Sequence, residues 1–446
     1  MRRFFLAAML LFSVIYQSSA KQVSWKDSAE NPDFIHRAVK QVTDVIVYDI
    51  YSPPVASRIY AYITIAGYEA AVAGNPRYVS LAGQLKDLQP LPAPPEKYSH
   101  TVSAVQAILS VAKTMVISEQ KIGDFQSALL KELKTTGISE EVFLNSVDHG
   151  NKVAAHILAW ASKDNYKQTR AMHRYYLSND IESWKPTPPA YMKAIEPHWS
   201  KMRPFLIDSA QQFKPFPPTT FSKEKESAFY QEALDVYQVG SKLTAEQREI
   251  ASFWDCNPFK MNVNGHVMYA TKKISPGGHW INITRLACKK ANADYLTTLE
   301  AYACISITLA DAFISCWDEK YRSNVIRPET YINQYIDGNW IPLLQTPPFP
   351  EYTSGHSVVS KASAIILTKQ FGDNFNYLDS TELEFGLPIR AYTSFQQAAD
   401  EAAISRFYGG IHYMPAIVNG MHEGEKLGKY ISGKLRTRKE SVTQIK

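Results

Sequence analysis

The sequence is short of cysteine, of alternating β-branched runs and of charge of one sign, and each shortage excludes something. Four cysteines in 446 residues, Cys256, Cys288, Cys304 and Cys316, all lie in the C-terminal half and fit no zinc pattern by their spacing. Cys304 and Cys316 share one expected helix, which holds them about 18 Å apart, beyond disulfide reach. Cys256 with Cys316 is the favoured bridge, because both flank the segments assigned below to one site; four buried thiols are the alternative. A net charge of +5 is small for this length, and part of it sits in Lys434, Arg436, Arg438 and Lys439. Nothing there marks a nucleic-acid binder. Past the N-terminus, no apolar stretch is expected to reach the length of a membrane span. Scarce β-alternation argues against a sheet-built fold.

What is present is ordinary in bulk and rich in aromatics. Hydrophobic residues make up 45% and charged residues 20%, with 26 Tyr and eight Trp. The length suits one large domain or two ordinary ones. Arg2 and Arg3 precede the apolar run Phe4 to Tyr16, and Ser18-Ser19-Ala20 offers a small-residue cleavage site. That is the layout of a secretory leader over 1–20, so the mature chain is expected to be exported, periplasmic or secreted. The paired arginines leave twin-arginine export open beside the general route.

Apolar residues recur at helical spacing over 34–49, 56–74, 102–116, 138–163, 226–254, 291–317, 357–371 and 398–408. The expectation is an all-α protein, its helical bundles packed into one large domain. A front half, 21–222, ends in a Pro-rich connector at about 186–218, and a back half, 223–446, carries every candidate for chemistry.

Three segments of that back half are notable. Lys320 and Arg327, seven apart and followed by Pro328, are placed to point two cations into one pocket; Arg adds a planar fork suited to a tetrahedral oxyanion. Taken alone, a basic pair is more often a solvated surface. Ser354-Gly355-His356 opens an apolar helix, where free N–H groups and the dipole favour an anion, and His356 is placed to exchange protons. Taken alone, this is a Ser cap with an incidental His. Ser405-Arg406, then Gly409-Gly410, then His412 bring a further cation and imidazole. His266 and His279 read as structural.

In this order and spacing, the segments resemble the signature shared by vanadium-dependent haloperoxidases and type 2 phosphatidic acid phosphatases. The resemblance is strong over about 317–425 and extends back to Trp254–Phe259 and Pro276–Trp280. It implies that Lys320, Arg327, Arg406, Ser354 and Gly355 hold the equatorial oxygens of vanadate or phosphate. His412 would bond the central atom, as metal ligand or nucleophile, and His356 would be the acid–base on the opposite, solvent side. The haloperoxidase reading is preferred for three reasons: the aromatic and Pro-rich surroundings from Trp317 to Lys320 and Pro347 to Pro350, the long front half, and Ala416 where phosphatases carry an Asp beside the last histidine. It implies vanadate as cofactor, hydrogen peroxide and halide as partners, with small organic acceptors beyond them, and Trp317, Phe349 and Phe259 on the halide side. Phe259 stands where some members carry a carboxylate for the acid–base histidine, so iodide, then bromide, is the expected halide. The alternatives are an exported acid phosphatase using the same residues, and a non-catalytic oxyanion-binding helical protein.

Overall fold

The computed structural model describes residues 25–73 and 75–439. The expected leader over 1–20 lies outside the described residues. Helices dominate, as expected. The front half contributes α1 (Trp25–Ala29), α2 (Asp33–Tyr48), α3 (Pro53–Val72), α4 (His100–Met115), α5 (Glu119–Lys134), α6 (Glu140–Ala161) and α7 (Tyr166–Ala171). The back half contributes α8 (Ala228–Gly240), α9 (Ala245–Phe253), α10 (Pro276–Lys290), α11 (Tyr295–Ser323), α12 (Pro328–Tyr335), α13 (Gly355–Phe371), α14 (Phe395–Tyr408) and α15 (Met414–Lys434). Among the described residues, strands are confined to two short antiparallel pairs: β1 (Met261–Asn264) with β2 (Val267–Ala270), and β3 (Tyr377–Asp379) with β4 (Arg390–Tyr392).

Local chemistry sets the helix ends. Ser52, Ser99, Ser227, Ser275 and Ser354 each accept a first-turn amide at an N-cap, and Pro53, Pro276 and Pro328 take first positions where no amide is needed. The single helix expected over 226–254 is two. Thr244 and Gln247 bond each other's backbone in a capping box, which starts α9 afresh after α8.

α3 and α11 pack together at the centre. Every described α3 side chain except Arg58 is buried, so apolar residues all round mark an interior helix. Arg58 pairs with Asp164 at 2.6 Å. Gly67 lets the helices close up: a Cβ there would lie 2.7 Å from Ile108 and 3.2 Å from Leu299. α11 corrects one expectation. It is long and apolar enough to span a membrane, yet its apolar window is wholly inside the protein. The sequence scan missed it because Asp311 and the small polar residues Ser306, Thr308 and Ser315 break the apolar run.

The principal core takes in residues from Phe34 to Leu435, drawn from both halves. The Pro-rich connector is tied to α11 by polar contacts. Asp311 accepts the backbone N–H groups of Phe205, Leu206 and Ile207 at 2.7, 2.8 and 3.0 Å. The Ile195 carbonyl accepts from Trp317 Nε1 and from the Tyr321 hydroxyl. All four cysteines are free and buried, so the favoured Cys256–Cys316 bridge does not form. Cys256 Sγ faces His279 and Cys316 Sγ faces Thr353, so each thiol has a polar neighbour of its own.

Candidate active site

Lys320 lies in the last turn of α11. Asn324, left-handed at φ 48°, ends that helix, and Arg327 caps α12. The two cations therefore come from two elements across a turn. The loop from Pro347 to Thr353 leads into α13, with Ser354 as its cap. Arg406 sits near the end of α14, and Gly410, at φ 76°, turns the chain so that His412 stands just before α15. α15 can lie close to α13 because Gly424 faces Val358, where a Cβ would come within 2.3 Å of the carbonyl oxygen.

Gly355, His356, Arg406 and His412 line one cleft, which encloses about 510 Å³ of empty space including its mouth. Lys320, Arg327 and Ser354 are fully buried, and Arg327 bonds to Phe349, Ile411 and His412 of its wall. Lys320 Nζ donates to the carbonyls of Pro350, Glu351 and Thr353 at 3.1, 3.0 and 2.5 Å. Arg327 donates to the Phe349 and Ile411 carbonyls, and its Nη2 has no partner. Arg406 donates to Ser405 Oγ and to the Asp255 and Ala251 carbonyls. The Phe349 ring lies 5.2 Å from the charged ends of both Lys320 and Arg327, giving each a π face.

Among the described residues, none of these three cations forms a salt bridge. Burial pushes Lys320 down to about 8, and Arg327 and Arg406 down to about 10. Three buried cations so sparsely compensated call for an anion. The Ser354 hydroxyl accepts from Ser357 N–H, leaving its own proton to donate, and the first-turn amides of α13 lack intrahelical acceptors.

The two histidines differ. His412 Nδ1 lies 2.7 Å from Glu351 Oε1, which also accepts the Tyr413 N–H at 3.0 Å. Burial pushes the Glu351 carboxyl up to about 7, while Arg327 and Lys320 pull it back. Those cations favour Glu351 as an acceptor, so Nδ1 carries the proton and Nε2 a lone pair, 3.2 Å from Arg327 Nη1. Burial, then Arg327 and Lys320, hold His412 well below the ordinary imidazole range. Ala416 therefore does not leave His412 without a carboxylate; Glu351 supplies it from the other side. That removes one of the three reasons for preferring a haloperoxidase. The sequence carried the signal, an acid inside the loop that leads to Ser354, but not the pairing.

His356 is part-buried, and no carboxylate meets it among the described residues. Asp255, close in sequence to Phe259, instead bonds Lys273 at 2.5 Å. His356 bonds to the Trp254 backbone and its Nε2 is unpartnered. Burial, then Arg406, keep it well below the usual imidazole range, so it is a neutral proton acceptor near pH 7. Trp317, Phe349 and Phe259 all line the cleft, with Trp317 and Phe349 packed at 5.0 Å between ring centroids. His266 is exposed between β1 and β2. One residue that sequence reasoning missed braces the anion loop: Glu423 on α15 accepts the Ser315 and Thr353 hydroxyls at 2.8 Å each.

Comparison with known proteins follows the same outline. A family model described as the VCPO second helical-bundle domain matches residues 300–440. The structure of a protein described as the first bacterial vanadium-dependent iodoperoxidase is similar at 48% identity and a TM-score of 0.87, over 92% of this chain and 98% of that one. A bacterial vanadium-dependent chloroperoxidase shares the fold in its holo form at 15% identity and a TM-score of 0.66, over 86% of this chain and 93% of that one. Its apo form matches at 14% identity and a TM-score of 0.65, over 86% and 94% of the two chains. No curated protein matches.

Proposed function

The chain belongs to the vanadium-dependent haloperoxidases, and from that premise we propose that it oxidises iodide with hydrogen peroxide, using vanadate held at the cleft, after export. The single observation that carries the assignment of the site is the set of unspent donors around one lone pair. Arg327 Nη2 has no partner, the three cations form no salt bridge among the described residues, and His412 presents Nε2 among them. That set fits a tetrahedral oxyanion whose central atom takes one nitrogen ligand.

On this reading His412 Nε2 is the vanadium ligand. Lys320, Arg327 and Arg406 neutralise the oxygens, with Ser354 and the Gly355 N–H as further donors. When bound, vanadate supplies Lewis-acid activation of peroxide toward halide. Glu351 keeps the His412 ring in one tautomer and orientation. His356, neutral at ordinary pH, takes a proton from incoming peroxide and returns it to the product side. Trp317, Phe349 and Phe259 keep the approach apolar and suit a large, weakly hydrated halide. The lack of a carboxylate on His356 leaves it a weaker base, which favours the most easily oxidised halide, iodide. Kinship with a 48%-identical protein described as an iodoperoxidase supports the same choice. The leader-like segment over 1–20 supports export.

The test is the sign of the vanadate effect. Chain loaded with orthovanadate should convert iodide with peroxide, bromide more slowly and chloride least. Orthovanadate should not be needed for, nor inhibit, any substantial phosphate-ester turnover. Efficient ester hydrolysis blocked by vanadate, with no halide oxidation, would overturn the reading.

A further inference from the structure

Beside the cleft lies a second cluster that the oxyanion chemistry does not use. Cys256, His279 and Glu382 are all buried, and they come from the turn after α9, the start of α10 and the segment between β3 and β4. Their donor atoms converge. His279 Nδ1 lies 3.4 Å from Cys256 Sγ and 3.0 Å from Glu382 Oε1, and that oxygen lies 3.7 Å from the sulfur. A tetrahedral zinc ion with ordinary bond lengths sets its S···N and S···O edges at about 3.5 Å and its N···O edge at about 3.3 Å. All three edges here agree to within about 0.3 Å.

The surroundings match those of a metal-binding imidazole. His279 Nε2 lies 2.8 Å from Asp379 Oδ2, so a carboxylate holds the far nitrogen and turns Nδ1 toward Cys256 and Glu382. Asp379 is itself fixed by the Thr381 N–H at 2.9 Å. Trp254 stacks on the imidazole with centroids 4.3 Å apart, setting the plane of the ring. Cys256 also lines the cleft, which gives an entry path.

We propose that Cys256, His279 and Glu382 bind one borderline-soft divalent cation of the zinc type, with Asp379 orienting His279 from behind. Binding forms metal–sulfur and metal–nitrogen bonds and releases two protons to solvent, one from the Cys256 thiol and one from His279 Nδ1, with no change of oxidation state. The thiolate and the Glu382 carboxylate then balance the two positive charges, and three protein ligands leave a fourth position for water. The ion joins parts of the chain 23 and 126 residues apart and fixes the Asp255–Phe259 wall of the cleft. It is distinct from the vanadate site in donors and in charge.

The experiment uses the untagged full chain, stripped with chelator under reductant and kept free of vanadate and peroxide. Cobalt(II) is the optical probe and zinc the counted metal. We expect one zinc retained per chain after dialysis, a raised unfolding temperature, and a thiolate-to-cobalt band in the near ultraviolet. Cys256→Ser and Glu382→Gln should each weaken binding at least tenfold, and Cys288→Ser should leave it unchanged. Wild-type chain that retains no zinc and shows no thiolate band overturns the proposal, leaving a hydrogen-bonded imidazolium between two carboxylates. Equal zinc retention by Cys256→Ser overturns it too. The wild-type readings stand whether or not a variant folds, and none depends on halide oxidation.

Discussion

The two histidines that face the cleft have opposite surroundings. His412 is clamped: its far nitrogen lies against Glu351, whose oxygen also holds the next backbone amide. His356 has a backbone contact on one side and an unpartnered nitrogen on the other. The difference matches a division of labour. A ring that serves as a ligand gains from fixed orientation and a basic lone pair, whereas one that moves a proton works with a lighter hold.

Replacing each histidine gives the largest expected contrast. His412→Ala should lose vanadate retention and, with it, halide oxidation by about three orders of magnitude or more. His356→Ala should keep vanadate affinity within about tenfold while kcat falls about 10²- to 10⁴-fold. Equilibrium dialysis with vanadate beside steady-state iodide oxidation reads both. Equal loss of vanadate in the two variants would erase the distinction.

A subtler change tests the clamp alone. Glu351→Gln keeps the shape of the side chain but weakens its hold on His412 Nδ1–H, and should lower vanadate affinity about 10- to 100-fold. Activity at saturating vanadate should fall much less. A drop in kcat with unchanged vanadate affinity would place Glu351 in proton transfer instead.

The smallest effect concerns the brace under the loop from Pro347 to Thr353. Burial pushes Glu423 up to about 7, above its ordinary value near 4.5. The folded protein therefore holds that proton more tightly than the unfolded chain does. The resulting stabilisation is full below about pH 4.5 and fades as pH rises through about 7, a swing of at most ~3 kcal/mol. Glu423→Gln lacks this dependence, so wild-type stability relative to the variant should decline between pH 4.5 and 8. Urea unfolding of both proteins at the two pH values measures it; a constant difference would show that Glu423 does not titrate in this range.

Sequence and structure part company at recognisable places. Helix periods and Ser or Pro starts were legible because they are local, and so were the cations and histidines, which sit in three short segments. Glu351 was visible as a letter but not as a partner, since its contact with His412 spans 61 residues. The grouping of Cys256, His279 and Glu382 could not be read at all, because no local spacing encodes a site assembled from a turn, a helix and a segment between strands. The break between α8 and α9 was missed for the opposite reason: apolar period continues across it, and only the Thr244–Gln247 cap marks the restart.

α11 bears on the export proposed for this chain. Its apolar window is wholly buried in the fold, yet by length and composition it would also suit lipid. A chain threaded unfolded through a translocation channel presents that window sideways to the bilayer, where it competes with onward passage as a stop signal would. A chain carried across already folded presents nothing of the kind. The helix that forms the centre of the core is thus the segment for which, on the proposed export, the order of folding and transport matters most.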